Sequence, residues 1–293
     1  MNALFFTFGL LAAAVCAIWV RPVHLGMRYR IAPWIVFFAA SVVSGLMTGY
    51  LTWKAVASLA LFSSTVYAAK TFHQYRALRV LLLVATTGIM TLALSMHKFP
   101  GFANPALAEN MRFSSDAPAT TLHTNFDMIS AGLILMALFC NPVHGLTQWK
   151  HLLRRTAPIA AVTLVIVFSC AVGMGYVRFN VKVTSYTAIF LITNLLFTCV
   201  AEEAFFRGFM QEQLMRGMSG WRAGITVATA ISAALFGVSH ASGGFLLVLL
   251  ATIAGLGYAY AYLSTRRVEA AILTHFLLNA VHFVAFTYPN LVE

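Results

Sequence analysis

Ten apolar stretches, most of them near 20 residues long, follow one another at about 2–20, 31–52, 55–70, 78–97, 127–146, 157–177, 184–215, 222–241, 244–263 and 268–288. A helix rises 1.5 Å per residue, so about 20 residues cross the roughly 30 Å hydrocarbon core of a bilayer. Hydrocarbon offers the backbone no partner but itself, and runs this continuous satisfy it as helices. The expected fold is all-α: a polytopic transmembrane helix bundle of about 8–10 helices. The third stretch is short enough to be re-entrant. The seventh is too long for one crossing, and its second half, Glu203 to Arg216, is amphipathic.

Composition agrees with this reading. Hydrophobic residues make up 60% of the chain and charged ones 9%, more apolar surface than a soluble domain can bury. The partner is therefore the lipid bilayer. A net charge of +11 would suggest nucleic acid for a soluble chain. Here the basic residues gather in short loops, as Arg21, Arg28 and Arg30; Lys70, Arg76 and Arg79; Lys150, Arg154 and Arg155; and Arg266 and Arg267. The odd-numbered loops hold more of them, which puts those loops in the cytoplasm and argues against a nucleic-acid partner. Cys16, Cys140, Cys170 and Cys199 lie in apolar runs without CxxC spacing and read as small buried hydrophobes. The first segment lacks a basic n-region and reads as a retained helix. With the short loops, this suggests a multi-pass protein of a bacterial-type plasma (inner) membrane. The one long polar stretch, Lys98 to Asp127, faces away from the cytoplasm as a cap or a substrate gate.

Only eight acidic residues occur in the chain, and two of them, Glu202 and Glu203, stand side by side in an apolar run. A carboxylate at membrane depth costs roughly 2.5–3.5 kcal/mol even on the mildest scale, so the pair needs a reason. Glu203 has Arg207 at i+4, the favourable order for an ion pair on one helix face. Glu202 points about 100° away and finds only Phe205 and Phe206 at i+3 and i+4. It is left free for proton transfer. Phe236 and His240 share a face one helix later. His275 and Asn279 share another, with His282 on the same side a turn beyond. His282 reads as interfacial, and the loop histidines receive no role. A carboxylate, two histidines and an amide supply a base, its partner and an oxyanion clamp. One tension is that His275 lies only about 12 Å beyond Arg267, whereas His240 looks deeper.

The strings Glu202-Glu203-x-x-x-Arg207, Phe236-x-x-x-His240 and His275-x-x-x-Asn279 resemble, in order, the EExxxR, FxxxH and HxxxN/D motifs of the membrane-embedded CAAX protease and bacteriocin-processing (CPBP, or ABI) family. The resemblance covers about 190–285. The apolar runs before about 150 hold almost no ionisable residues and read as an N-terminal helical scaffold over 1–150; the resemblance implies a catalytic helical core over 151–293, within one integrated membrane domain. The implied activity is an intramembrane endopeptidase acting on a membrane-associated protein or peptide. By motif position Glu202 and His240 activate water, and His275 and Asn279 stabilise the oxyanion. Glu203, Arg207 and Phe236 support the site. No metal is required by this reading, because H-E-x-x-H is absent and His275 with Asn279 makes a sensible donor pair. A zinc site built from Glu202, His240 and His275 is the alternative. Two other classes remain open: a non-catalytic scaffold or immunity partner of the same fold, and a proton-coupled transporter, for which no inverted repeat is visible.

Overall fold

The computed structural model describes residues 2–25, 29–71 and 80–292. Arg28, His73, Arg76 and Arg79 lie outside the described residues. Most of the rest is helical, as apolar runs in hydrocarbon require. Four helices are long and apolar enough to cross a membrane, Leu146–Gly173, Thr187–Gly217, Phe245–Thr265 and Val268–Ala285. Several shorter apolar helices accompany them. The chain is an integral membrane protein with the expected all-α class, and the described strands form only two-stranded ribbons.

The chain divides into two compact units. The first comprises Met1–Ala106, His123–Pro142 and Leu196–Phe205. It holds α1 (Asn2–Cys16), α2 (Pro33–Thr48), α3 (Trp53–Thr71), α4 (Ile89–Ser95) and α5 (Phe126–Phe139). The third apolar stretch is one continuous helix of 19 residues, with Trp53, Lys54 and Thr71 inside it. Phe8 of α1 centres the packing, with ring centroids 5.8 Å from both Tyr50 and Phe126 and 6.5 Å from Phe197. Gly132 of α5 allows a close backbone approach: a Cβ there would stand 2.3 Å from the Ala201 Cα. The residue next to Glu202 is therefore pressed directly against α5.

The second unit comprises Leu107–Leu122, Val143–Leu195 and Phe206–Glu293. Its helices are α6 (Leu146–Gly173), α7 (Thr187–Gly217, whose Leu196–Phe205 stretch belongs to the first unit), α8 (Gly224–Val238), α9 (Phe245–Thr265) and α10 (Val268–Ala285). The stretch read from sequence as a basic loop, with Lys150, Arg154 and Arg155, is instead the first part of α6. Arg155 donates from there to the Ser264 carbonyl at 3.0 Å, satisfying one of the orphaned acceptors at the end of α9. The polar stretch before α5 carries two strands, β1 (Ala106–Met111) and β2 (Thr120–His123). Between them Phe113 inserts against Phe283 and Tyr288, at 5.1 and 6.1 Å. This part of the long polar stretch caps the end of α10.

Candidate active site

α7 is wound unevenly. Asn194–Cys199 and Ala204–Gln211 are π-helical, and Val200–Glu203 between them is α-helical. The two acids therefore occupy one α-turn flanked by wider turns, a form of local irregularity frequent at functional sites. Glu203, Arg207 and Gln211 are all completely buried. The Oε2 of Glu202 is also shut away from solvent and has no hydrogen-bond donor among the described residues. An orphaned buried acceptor costs free energy, so a protein retains one where it has a task.

Arg207 has an elaborate environment within the second unit. Its Nη2 donates to the Gly255 carbonyl at 2.9 Å. Its guanidinium lies 4.6 Å from the Phe236 ring centre, 5.3 Å from Tyr258 and 5.7 Å from Phe206. Aromatic faces carry negative quadrupole and accommodate a desolvated cation. Gly255 makes this possible, since a Cβ there would come 3.3 Å from the Arg207 Nη2 and 3.2 Å from Phe236. One turn on, Gln211 donates to the Ala259 carbonyl at 3.2 Å, and Glu212 accepts from the Tyr262 hydroxyl at 2.7 Å. A ladder of polar rungs thus joins α7 to α9.

Phe236 connects this ladder to the histidines. Its ring lies 4.8 Å from that of His240 and 5.6 Å from that of His275. His275 is stacked on Tyr258 at 4.6 Å with the planes 14° apart. α8 ends at Val238, so His240 stands just past the helix end and not within it. Its ring folds back one turn and Nδ1 meets the Phe236 carbonyl at 2.8 Å. A carbonyl can only accept, so Nδ1 carries a proton; in the neutral imidazole Nε2 is then the acceptor. His240, His275 and Asn279 line one cavity of about 140 Å³.

Three lining or supporting residues had no signal strong enough to be selected from sequence. Tyr258 looks like any aromatic in an apolar helix. Asn194 accepts from the Asn279 Nδ2 at 3.3 Å. His282 was read as interfacial but forms part of the cavity wall. Its Nε2 reaches the Thr287 carbonyl at 3.2 Å, and its ring lies between Phe168 and Tyr288. Near that rim, outside the spans, Lys182 donates to the Phe286 carbonyl, and burial holds its ammonium below the usual lysine range against the opposing pull of Asp116. Among the described residues, no three His, Cys, Asp or Glu side chains converge as a metal-ion cluster would. Glu202 and Glu203 belong to the first unit, and His240, His275 and Asn279 to the second.

Residues 184–281 match the family model described as type II CAAX prenyl endopeptidase Rce1-like. The matched segment contains all three motifs, so the resemblance read from them stands for this part of the chain. No curated protein and no solved structure matches the chain.

Proposed function

We propose that this protein is an intramembrane endopeptidase that hydrolyses a peptide bond of a membrane-associated protein or peptide. The observation that carries the reading is the convergence of His240, His275 and Asn279 on one cavity inside the segment that matches the endopeptidase model. Glu202 is the proposed general base. Its support is its motif position and a buried oxygen without a donor. His240 has the tautomer the task needs, with Nδ1 committed to a backbone carbonyl and Nε2 available to a water.

In the proposed reaction Glu202, aided by His240, takes a proton from water as its oxygen attacks the scissile carbonyl. The tetrahedral oxyanion accepts hydrogen bonds from His275 and Asn279, a stabilisation that typically supplies about 10²–10³ in rate for each donor. The proton then passes to the leaving amine as the carbon–nitrogen bond breaks. Asn279 is held by Asn194 and His275 by the Tyr258 ring, so both donors are positioned before substrate arrives. Phe236 and Arg207 serve as support: the cation and the two imidazoles are arranged around one phenyl ring.

The test compares the proteomes of membranes carrying wild-type protein or Glu202→Ala. A new substrate N-terminus present only with wild type supports the reading, and identical N-termini overturn it. Metal-free catalysis is the proposed mode, supported by the His275–Asn279 donor pair. Activity that survives exhaustive chelation agrees with it, whereas loss restored by zinc alone reassigns Glu202, His240 and His275 as ligands.

A further inference from the structure

At the far end of α7 the chain turns through 218–223 into α8, and α9 terminates beside it at Thr265. Three arginines meet at this corner. Arg216, Arg222 and Arg266 line a concave pocket of about 450 Å³, together with Met215, Met218 and the half-exposed Trp221. The pocket lies within the second unit, and none of the motif residues lines it.

Two of the arginines are paired with one acid. Glu212, almost fully buried, accepts from the Arg216 Nε at 2.8 Å and from the Arg266 Nη2 at 2.8 and 3.1 Å. Arg266 also occupies the left-handed region, φ 56°, which non-glycine residues seldom adopt. One carboxylate against three guanidinium groups leaves the rim positive. Among the described residues no hydrogen bond occupies the other Arg216 guanidinium N–H donors or the Arg222 fork, which leaves them for a ligand. Guanidinium forks match phosphate oxygens in pairs, which a lone ammonium cannot do.

We propose that this pocket binds the phosphate of an anionic phospholipid headgroup. Three features favour a lipid over a free phosphate. The pocket sits where the long apolar helices α7 and α9 end. Trp221 is the kind of side chain that settles at the headgroup level. The methionine wall suits the glycerol and upper acyl carbons, which inorganic phosphate lacks. The arginines also belong to loops that the basic-residue pattern assigns to the cytoplasmic face, the leaflet side on which basic pockets meet anionic lipids.

The experiment titrates the full-length protein in detergent with short-chain phosphatidylglycerol, short-chain phosphatidylcholine and inorganic phosphate, reading bound ligand by native mass spectrometry. Phosphatidylglycerol is expected to bind at least about tenfold tighter than the other two. Arg222→Gln, which removes no Glu212 contact, is expected to weaken it about fivefold, the equivalent of about 1 kcal/mol per arginine near an anionic surface. Arg154→Gln, an exposed arginine elsewhere, should change nothing. Absence of a headgroup preference overturns the proposal, as does an equal loss in Arg154→Gln. Inorganic phosphate binding as tightly as the lipid, with the same loss in Arg222→Gln, reassigns the pocket to a free anion and overturns the lipid assignment. Should Arg222→Gln melt early without ligand, Trp221→Ala carries the same comparison.

Discussion

Two acids in the first unit, one completely buried and one partly so, have different surroundings. Asp127, at the head of α5, is completely buried, and its oxygens are occupied by the His97 Nδ1 at 2.8 Å, the Asn104 Nδ2 at 3.1 Å and the Met128 N–H at 2.9 Å. Glu202 has an equally hidden Oε2 with no donor among the described residues. Asp127 ties the polar stretch before α5 to that helix, and every bond it makes is a bond of the fold. Glu202 lacks such obligations. Burial alone therefore does not distinguish a structural acid from a reactive one.

The largest expected effect tests this contrast. Glu202→Ala should lower cleavage by about 10²–10⁴ while membrane insertion and the melting temperature stay at wild-type values. Asp127→Ala should instead lower the melting temperature, losing about 1.5–3 kcal/mol from hydrogen bonds to a charged group, with cleavage per folded molecule retained. Equal melting losses in the two variants would abolish the distinction. Next comes Arg207→Ala, which removes a cation from three aromatic rings and a backbone carbonyl. A loss of about 3–5 kcal/mol in unfolding free energy is expected, visible as reduced folded yield after detergent extraction.

Asn279→Ala should cost about 10²–10³ in turnover with little change in stability, and single-turnover kinetics would separate that loss from weaker substrate binding. The smallest effect is expected at Gly255. Gly255→Ala introduces a methyl 3.2–3.3 Å from Phe236, the Ala233 carbonyl and Arg207. About 1–3 kcal/mol of overpacking should follow, checked by thermal unfolding. A neutral Gly255→Ala would mean that the ring box around Arg207 is looser than its distances indicate.

The three motifs were legible because each places a costly polar residue in an apolar run, which stands out against hydrocarbon. The same logic would have reached Asn194, an amide in such a run, and Gln211 and Glu212 further along it. It could not have reached Tyr258. An aromatic residue in a spanning helix is common, and only its 14° stacking on His275 distinguishes this one. The π-winding of α7 was equally invisible, since no residue type there demands an i→i+5 ladder. The fold-back of His240 depends on α8 stopping at Val238, two residues before the histidine. Periodicity alone carried the helix through to it.

By itself the sequence determined the class of fold, the helices it would use and the residue types available for chemistry. Those follow from the bilayer, which forbids unsatisfied backbone and penalises every charge, so apolar length and polar intrusion are both local signals. Only the tertiary structure decided which intruders meet. It brought His240, His275, Asn279 and His282 to one cavity, surrounded Arg207 with aromatic rings, and satisfied Asp127 while leaving a Glu202 oxygen without a donor. These outcomes depend on distances between segments far apart along the chain, and no single helix carries that information.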